Sequence, residues 1–215
     1  MNEKTPLLPC EVRPLKPTDI SKAVELHMAA FPDFFLTFLG PTFLRLLYGF
    51  YAADENAVAL AGEKDGQIVA TVLGTNRPGN FYRRMAQRHF VLFAWACFEP
   101  LLRRPAIFRR LVRALLYRGD PPLASQNGAL LASICVDPNT RGSGIGNAML
   151  VAFEREMWKR NADFVYLTTD RDENQAVQAF YGKQGWSVQA EFTTSEGRRM
   201  QRYWKWRPNG ESSFG

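Results

Sequence analysis

The sequence predicts an α/β fold, a mixed central sheet flanked by helices, with a helical, arginine-rich insertion between the third and fourth strands. Three observations carry this. Apolar runs of strand length alternate with amphipathic runs of helix length along the 215 residues. "ALLASICV" at 129–136 is a near-continuous apolar run, the signature of a strand buried in the middle of a sheet. It leads through "RGSGIG" at 141–146 directly into an amphipathic helix.

Taken in order, "EVRPLKPTD" reads as a short edge strand, because Pro14 and Pro17 cannot donate to a central ladder. Thr18 or Asp19 is placed to cap a first helix running to about Ala30, with Ile20, Val24, Leu26 and Met28 as its apolar positions. A second helix starts at Pro41 and carries Phe43, Leu44, Leu47 and Phe50. Strands at about 57–62 and 67–75 flank Glu63, Lys64, Asp65 and Gly66, the composition of a hairpin turn. The insertion covers about 76–128. Within it, "AIFRRLVRALLYRG" places Ile107, Phe108, Leu111, Val112, Leu115 and Leu116 on one helical face and Arg109, Arg110 and Arg113 on the other. Then come the strand 129–136, a helix from near Ile145 to about 160, the strand "FVYLTTD" and a short helix from Asn174 to Gly185. A closing hairpin turns at Ser195, Glu196 and Gly197.

Composition narrows the class. A hydrophobic content of 46% is enough for a full core, and the length fits one domain spanning 1–215. Cys10, Cys97 and Cys135 are far apart, which indicates neither a disulfide framework nor a metal site and points to a reducing cytoplasm. The N-terminal "MNEKTPLLPCEVRP" lacks the apolar core of a signal peptide. The longest apolar stretch, "FVLFAWACFEPLL", is interrupted by Glu99 and Pro100 and falls short of the roughly 20 residues a membrane span needs. Residues 76–118 hold ten arginines against one acid, so this segment alone is +9 in a chain of net charge +6. Such a segment can draw phosphates, nucleic acid or, by peripheral contact, an anionic membrane. No nucleic-acid motif accompanies it, so nucleic acid is not an expected partner.

The glycine run is the strongest chemical signal. It is not a P-loop, since Asn147 and Ala148 stand where the lysine and hydroxyl residue are required. Nor is it a full dinucleotide fingerprint, because Asn147 replaces the third glycine. What it keeps is a helix N-terminus whose N–H groups and dipole favour an anion, with Arg141 adding a permanent cation. "VDPNTRGSGIG" resembles the acetyl-CoA signature of the GNAT superfamily of N-acetyltransferases through Arg141, Gly144 and Gly146, with Val136 and Pro138 upstream. "NQAVQAFYGKQGW" is similar to the family's second element through Asn174, Val177, Phe180, Tyr181, Gly185 and Trp186.

The resemblance implies an acetyltransferase fold from about residue 11 to 206, interrupted at 76–128. It implies that Arg141, Gly142, Ser143, Gly144, Ile145 and Gly146 cradle the pyrophosphate of acetyl-CoA. Main-chain groups of Ile134, Cys135 and Val136 would hold the pantetheine arm in a V-shaped gap between the strands ending at Val136 and near Thr169. Asn174 would contact the co-substrate, or else act as an N-cap. Tyr181 would protonate the leaving thiolate as an amine acceptor attacks the thioester directly in a ternary complex, and an amide of the same strand would stabilise the tetrahedral intermediate. No carboxylate lies in the central strand, so the candidates for the base are His27, Asp33, His89, Glu99 and Asp170, or a water relay. Cys135 is read as packing rather than as a nucleophile. The acceptor side, rich in Phe31, Phe34, Phe35, Phe38 and Phe43, suits a hydrophobic or planar small-molecule amine, and the arginines suit a sugar-nucleotide amine. The alternative is a non-catalytic acyl-CoA-binding sensor or scaffold that meets a partner or anionic membrane through the insertion.

Overall fold

The computed structural model describes residues 9–103 and 127–208, except Asp33 and residues 195–196. Asp33, the side chains of His89 and Glu99, the stretch 106–119 and the turn residues Ser195 and Glu196 lie outside what is described. The elements are β1 (Glu11–Pro14), α1 (Ile20–Ala30), α2 (Phe35–Phe38), α3 (Gly40–Ala53), β2 (Ala57–Lys64), β3 (Gln67–Thr75) and α4 (Pro78–Arg103). They continue with β4 (Gly128–Val136), α5 (Ile145–Lys159), β5 (Phe164–Asp170), α6 (Gln175–Lys183), β6 (Ser187–Thr193) and β7 (Arg199–Trp206). They build the expected mixed sheet, of seven strands in the order β1-β2-β3-β4-β5-β7-β6. Among the described residues, only β4 and β5 pair in parallel.

Alternation along β2 explains the two layers. Val58 and Leu60 belong to the cluster built on α5, whereas Ala57, Ala59 and Ala61 face α1 and α3. Small residues on that side leave room for the aromatic face of α3, where Phe43, Tyr48, Phe50 and Tyr51 are buried. On the opposite face α5 lies close against the sheet. A Cβ at Gly74 would come within 2.3 Å of the Phe153 ring and 2.5 Å of the Leu130 carbonyl oxygen, so only glycine admits Phe153 there.

Three boundaries differ from expectation. β2 runs to Lys64, and the hairpin turns on Asp65 and Gly66 alone, at φ 51° and 73°, the left-handed pair of a two-residue hairpin. Three helices rather than two follow β1, because Phe35–Phe38 forms a separate turn. Asp19 does not cap α1 with its side chain. Its carboxylate instead accepts from the Lys16 amide at 2.8 Å and pairs with Arg13 at 2.6 Å, which closes the turn before the helix.

Candidate active site

The sheet opens in its middle. β4 and β5 pair only through Gly128–Leu130 against Phe164–Tyr166; beyond that, β4 bonds only to β3 and β5 only to β7. The Asp137 amide donates to the Val69 carbonyl at 2.8 Å, so antiparallel alternation turns the main chains of Cys135 and Ser133 toward β3. Those of Ile134 and Val136 therefore face the opening. On the other lip, the Arg171 amide bonds the Arg199 carbonyl at 2.9 Å, which by the same rule turns Thr168 and Asp170 toward it. Of the three residues expected to hold a pantetheine arm, the structure thus aims the main chains of two.

A register shift at Ala132 separates the two halves of β4. Before it, Ala129 and Leu131 face α5; after it, Ile134 and Val136 do, and Ser133 and Cys135 turn to the α1–α3 side. The extra residue thereby places polar side chains on one face of the strand just past the point where the sheet divides.

At the far end of β4 the chain makes a short turn, Pro138–Thr140, and enters the glycine loop. Gly142 and Gly144 have φ of 79° and 83°, a conformation that penalises side chains. Nothing lies within 4 Å of a Cβ built at Gly142, and at Gly144 only Pro9 does, at 3.8 Å. Protein packing therefore does not demand these glycines; the backbone turn does, and it leaves the loop's surface open. The first bond of α5 runs from the Ala148 amide to Gly144 at 3.0 Å, leaving the amides of Ile145, Gly146 and Asn147 at the free end of the helix. Arg141 is exposed beside them and forms no ion pair among the described residues. Open donors, a helix dipole and a cation around an uncovered backbone suit a pyrophosphate. A separate groove of about 890 Å³ runs along the β1–β2 side of α5 and reaches this loop at Ser143 and Gly144.

Tyr181, on α6, belongs to the cluster that Ile134 and Val136 of the β4 lip join. Its ring lies 5.5 Å from Trp186, 5.8 Å from Tyr203 and 5.1 Å from Phe180, and is buried. Burial raises its hydroxyl's pKa well above the usual phenol range, and nearby Cys135 raises it further, so it carries its proton at neutral pH. Trp186 is itself fixed: its indole N–H donates to Glu154 at 2.7 Å, and Lys205 donates to the other oxygen of Glu154 at 2.6 Å. Asn174 occupies the N-cap position of α6 without a side-chain cap bond, contrary to that reading. Its amide nitrogen donates instead to Thr169 Oγ1 at 2.9 Å and to the Asp170 carbonyl at 2.8 Å, which covers the last main-chain acceptor on the β5 lip.

Behind β4 lies a polar cluster the sequence did not announce. Tyr48 Oη is 3.2 Å from His27 Nδ1, 3.4 Å from Thr71 Oγ1 and 3.8 Å from Cys135 Sγ, and Ser133 Oγ is 3.5 Å from that sulfur. Burial lowers the His27 pKa to about 4 and raises that of the Cys135 thiol, so both are neutral at pH 7. Of the other base candidates, Asp170 is gripped by Arg198 at 2.5 and 2.7 Å. Among the described residues no group of three or more His, Cys, Asp and Glu could hold a metal.

Solved structures share this architecture. SsHAT is 21% identical, with a TM-score of 0.66 over 91% of this chain and 97% of its own. The ribosomal-protein-S18-alanine N-acetyltransferase from Escherichia coli is 15% identical, with a TM-score of 0.56 over 95% of this chain and 99% of its own. An acetyltransferase from Bacillus anthracis in complex with acetyl coenzyme A is 13% identical, with a TM-score of 0.50 over 75% of this chain and 68% of its own. No curated protein matches. These likenesses define an acetyltransferase fold. The chain itself belongs to the acetyltransferase (GNAT) family, which matches residues 21–186. It is an N-acetyltransferase whose acetyl donor is acetyl-CoA.

Proposed function

We propose that the chain transfers the acetyl group to a primary amine by direct attack, with both substrates bound together and Tyr181 as the acid that protonates the departing thiolate. The observation that carries this is the buried ring of Tyr181 on α6, packed among Phe180, Trp186 and Tyr203 in the same cluster as Ile134 and Val136 of the β4 lip. When bound, acetyl-CoA supplies the thioester carbonyl. The main chains of Ile134 and Val136 would hold its arm, and Arg141 with the open amides of Ile145 and Gly146 would hold its pyrophosphate. Asn174 would orient the β5 lip rather than cap its helix.

Cys135 does not act as a nucleophile in this reading. Its thiol is kept protonated by burial, and a thiol attacks only as the thiolate. Burial leaves His27, with a pKa of about 4, too weak a base, and Arg198 holds Asp170, so this reading gives the amine's proton to a water relay. The acceptor is a small-molecule amine that meets the aromatic end of α1, where Phe31 lies 5.2 Å and Phe34 6.5 Å from the His27 ring. Three free, buried cysteines fit a reducing compartment, the cytoplasm. Tyr181→Phe tests the assignment: turnover falls by about a hundredfold to ten-thousandfold while the affinity for acetyl-CoA stays within about twofold. Full turnover in a variant that binds acetyl-CoA normally would remove Tyr181 from the chemistry.

A further inference from the structure

The helix α4 has two unlike faces. Phe81, Met85, Phe93, Ala96 and Cys97 are buried, with Phe93 5.3 Å from Phe43 and Phe81 5.1 Å from Phe50 of α3. Away from that contact, Val91 is 76% and Trp95 73% exposed, with Leu92 beside them at 50%. Arg88, Val91 and Trp95 are spaced i, i+3 and i+7, so they form one line along the helix, and Arg88 and Arg83 are exposed. One exposed apolar side chain is ordinary, but three within five residues, one of them a tryptophan, make a patch that calls for a partner.

Charge says which partner. Ten arginines and a single acid fall between residues 76 and 118, while the rest of the chain is net negative. The patch therefore sits in the one strongly cationic stretch. We propose that the outer face of α4 docks on an anionic phospholipid surface, with Val91, Leu92 and Trp95 entering the headgroup boundary and Arg88 meeting lipid phosphates. Aromatic and aliphatic side chains interleaved with arginine are what an interfacial helix uses, and the guanidinium fork matches phosphate oxygens. The helix lies on the surface and does not cross it, since none of the described helices is long and apolar enough to do so. Nucleic acid would leave Val91 and Leu92 without a role, because a phosphate backbone is held by donors and cations.

The test is flotation of the full chain with phosphatidylcholine vesicles, with and without about one-third phosphatidylglycerol, at low and high salt. The native chain floats with the anionic vesicles at low salt, not with neutral ones, and is released as salt rises. Arg88→Glu weakens the partition about thirtyfold, and Trp95→Glu at least about tenfold. Both positions are exposed, so an unchanged melting temperature and an unchanged response to acetyl-CoA show that each variant is folded. That response is independent of lipid, so failure here leaves the acetyl-transfer reading standing. Absence of native binding at low salt overturns the proposal, as does undiminished binding by both variants. Capture by polyglutamate without binding to vesicles also overturns it, in favour of an acidic protein.

Discussion

Gly144→Glu probes the loop most sharply, with Gly144→Ala as its control. At φ +83° either substitution carries a backbone cost of about 1–2 kcal/mol, but the new Cβ meets only Pro9, at 3.8 Å, so neither clashes. The two variants therefore fold alike and differ in charge. A carboxylate about 6 Å from one unit of phosphate charge, at an effective dielectric of about 20–40, opposes binding by about 1.5–3 kcal/mol. That is about a tenfold to a hundredfold loss of affinity for coenzyme A. At a ligand concentration of about 100 Kd the native chain gains about 2.7 kcal/mol of stability, which a hundredfold weaker variant reduces to about 0.4 kcal/mol. For a chain of this size the coenzyme-induced rise in melting temperature then falls from about 5–10 °C to about 1 °C, and calorimetric titration checks the Kd directly. The alanine variant retains most of the rise. A glutamate variant whose Kd stays within about twofold of native would refute the assignment of the loop to the pyrophosphate.

Two further outcomes test the frame that supports the site. Glu154→Leu leaves the Trp186 indole and Lys205 without their shared acceptor in a largely buried setting, and lowers stability by about 2–4 kcal/mol; urea unfolding measures it, and a change below about 0.5 kcal/mol would contradict the buried network. His27 makes stability depend on pH in a definite direction: its folded pKa, about 4, lies below the unfolded value near 6.5, so its contribution is complete above about pH 6.5 and is lost as pH falls toward 4, at about 1.4 kcal/mol per unit. The stability difference between native and His27→Gln chains should narrow by about 3 kcal/mol from pH 7 to pH 4, and a constant difference would show that burial does not hold the imidazole neutral.

Local pattern announced the central strand, the glycine loop and the helix after it, because an uninterrupted apolar run, a turn that requires positive φ and a 3.6-residue period are each written within about a dozen residues. The register shift at Ala132 was hidden, since "ALLASICV" contains no glycine or proline to mark it, yet it decides that Cys135 turns toward Tyr48. The aromatic run from Phe31 to Phe38 has no period of its own, and α2 arises from packing against α3. His27, Tyr48 and Cys135 meet across sequence separations of 21 and 87 residues, a distance over which no spacing rule operates. Asn174 reads from the sequence as a co-substrate contact or an N-cap, and it makes no side-chain cap bond because the strand end beside it competes better for its amide than the helix does.

The division between β4 and β5 gives this sheet two inner margins as well as its two outer ones. Strand margins with unspent donors and acceptors attract other backbones, and proteins ordinarily shield them. Here Ile134 and Val136 keep such a margin in the middle of the molecule, joined to the opposite half through only three paired residues on each strand. On the reading proposed above, an extended amide-bearing arm of the donor would enter there in place of a missing strand, a temporary rung between the two halves of the sheet. Slower amide exchange at Ile134 and Val136 on adding coenzyme A is the expected sign of that rung, and unchanged exchange would contradict it.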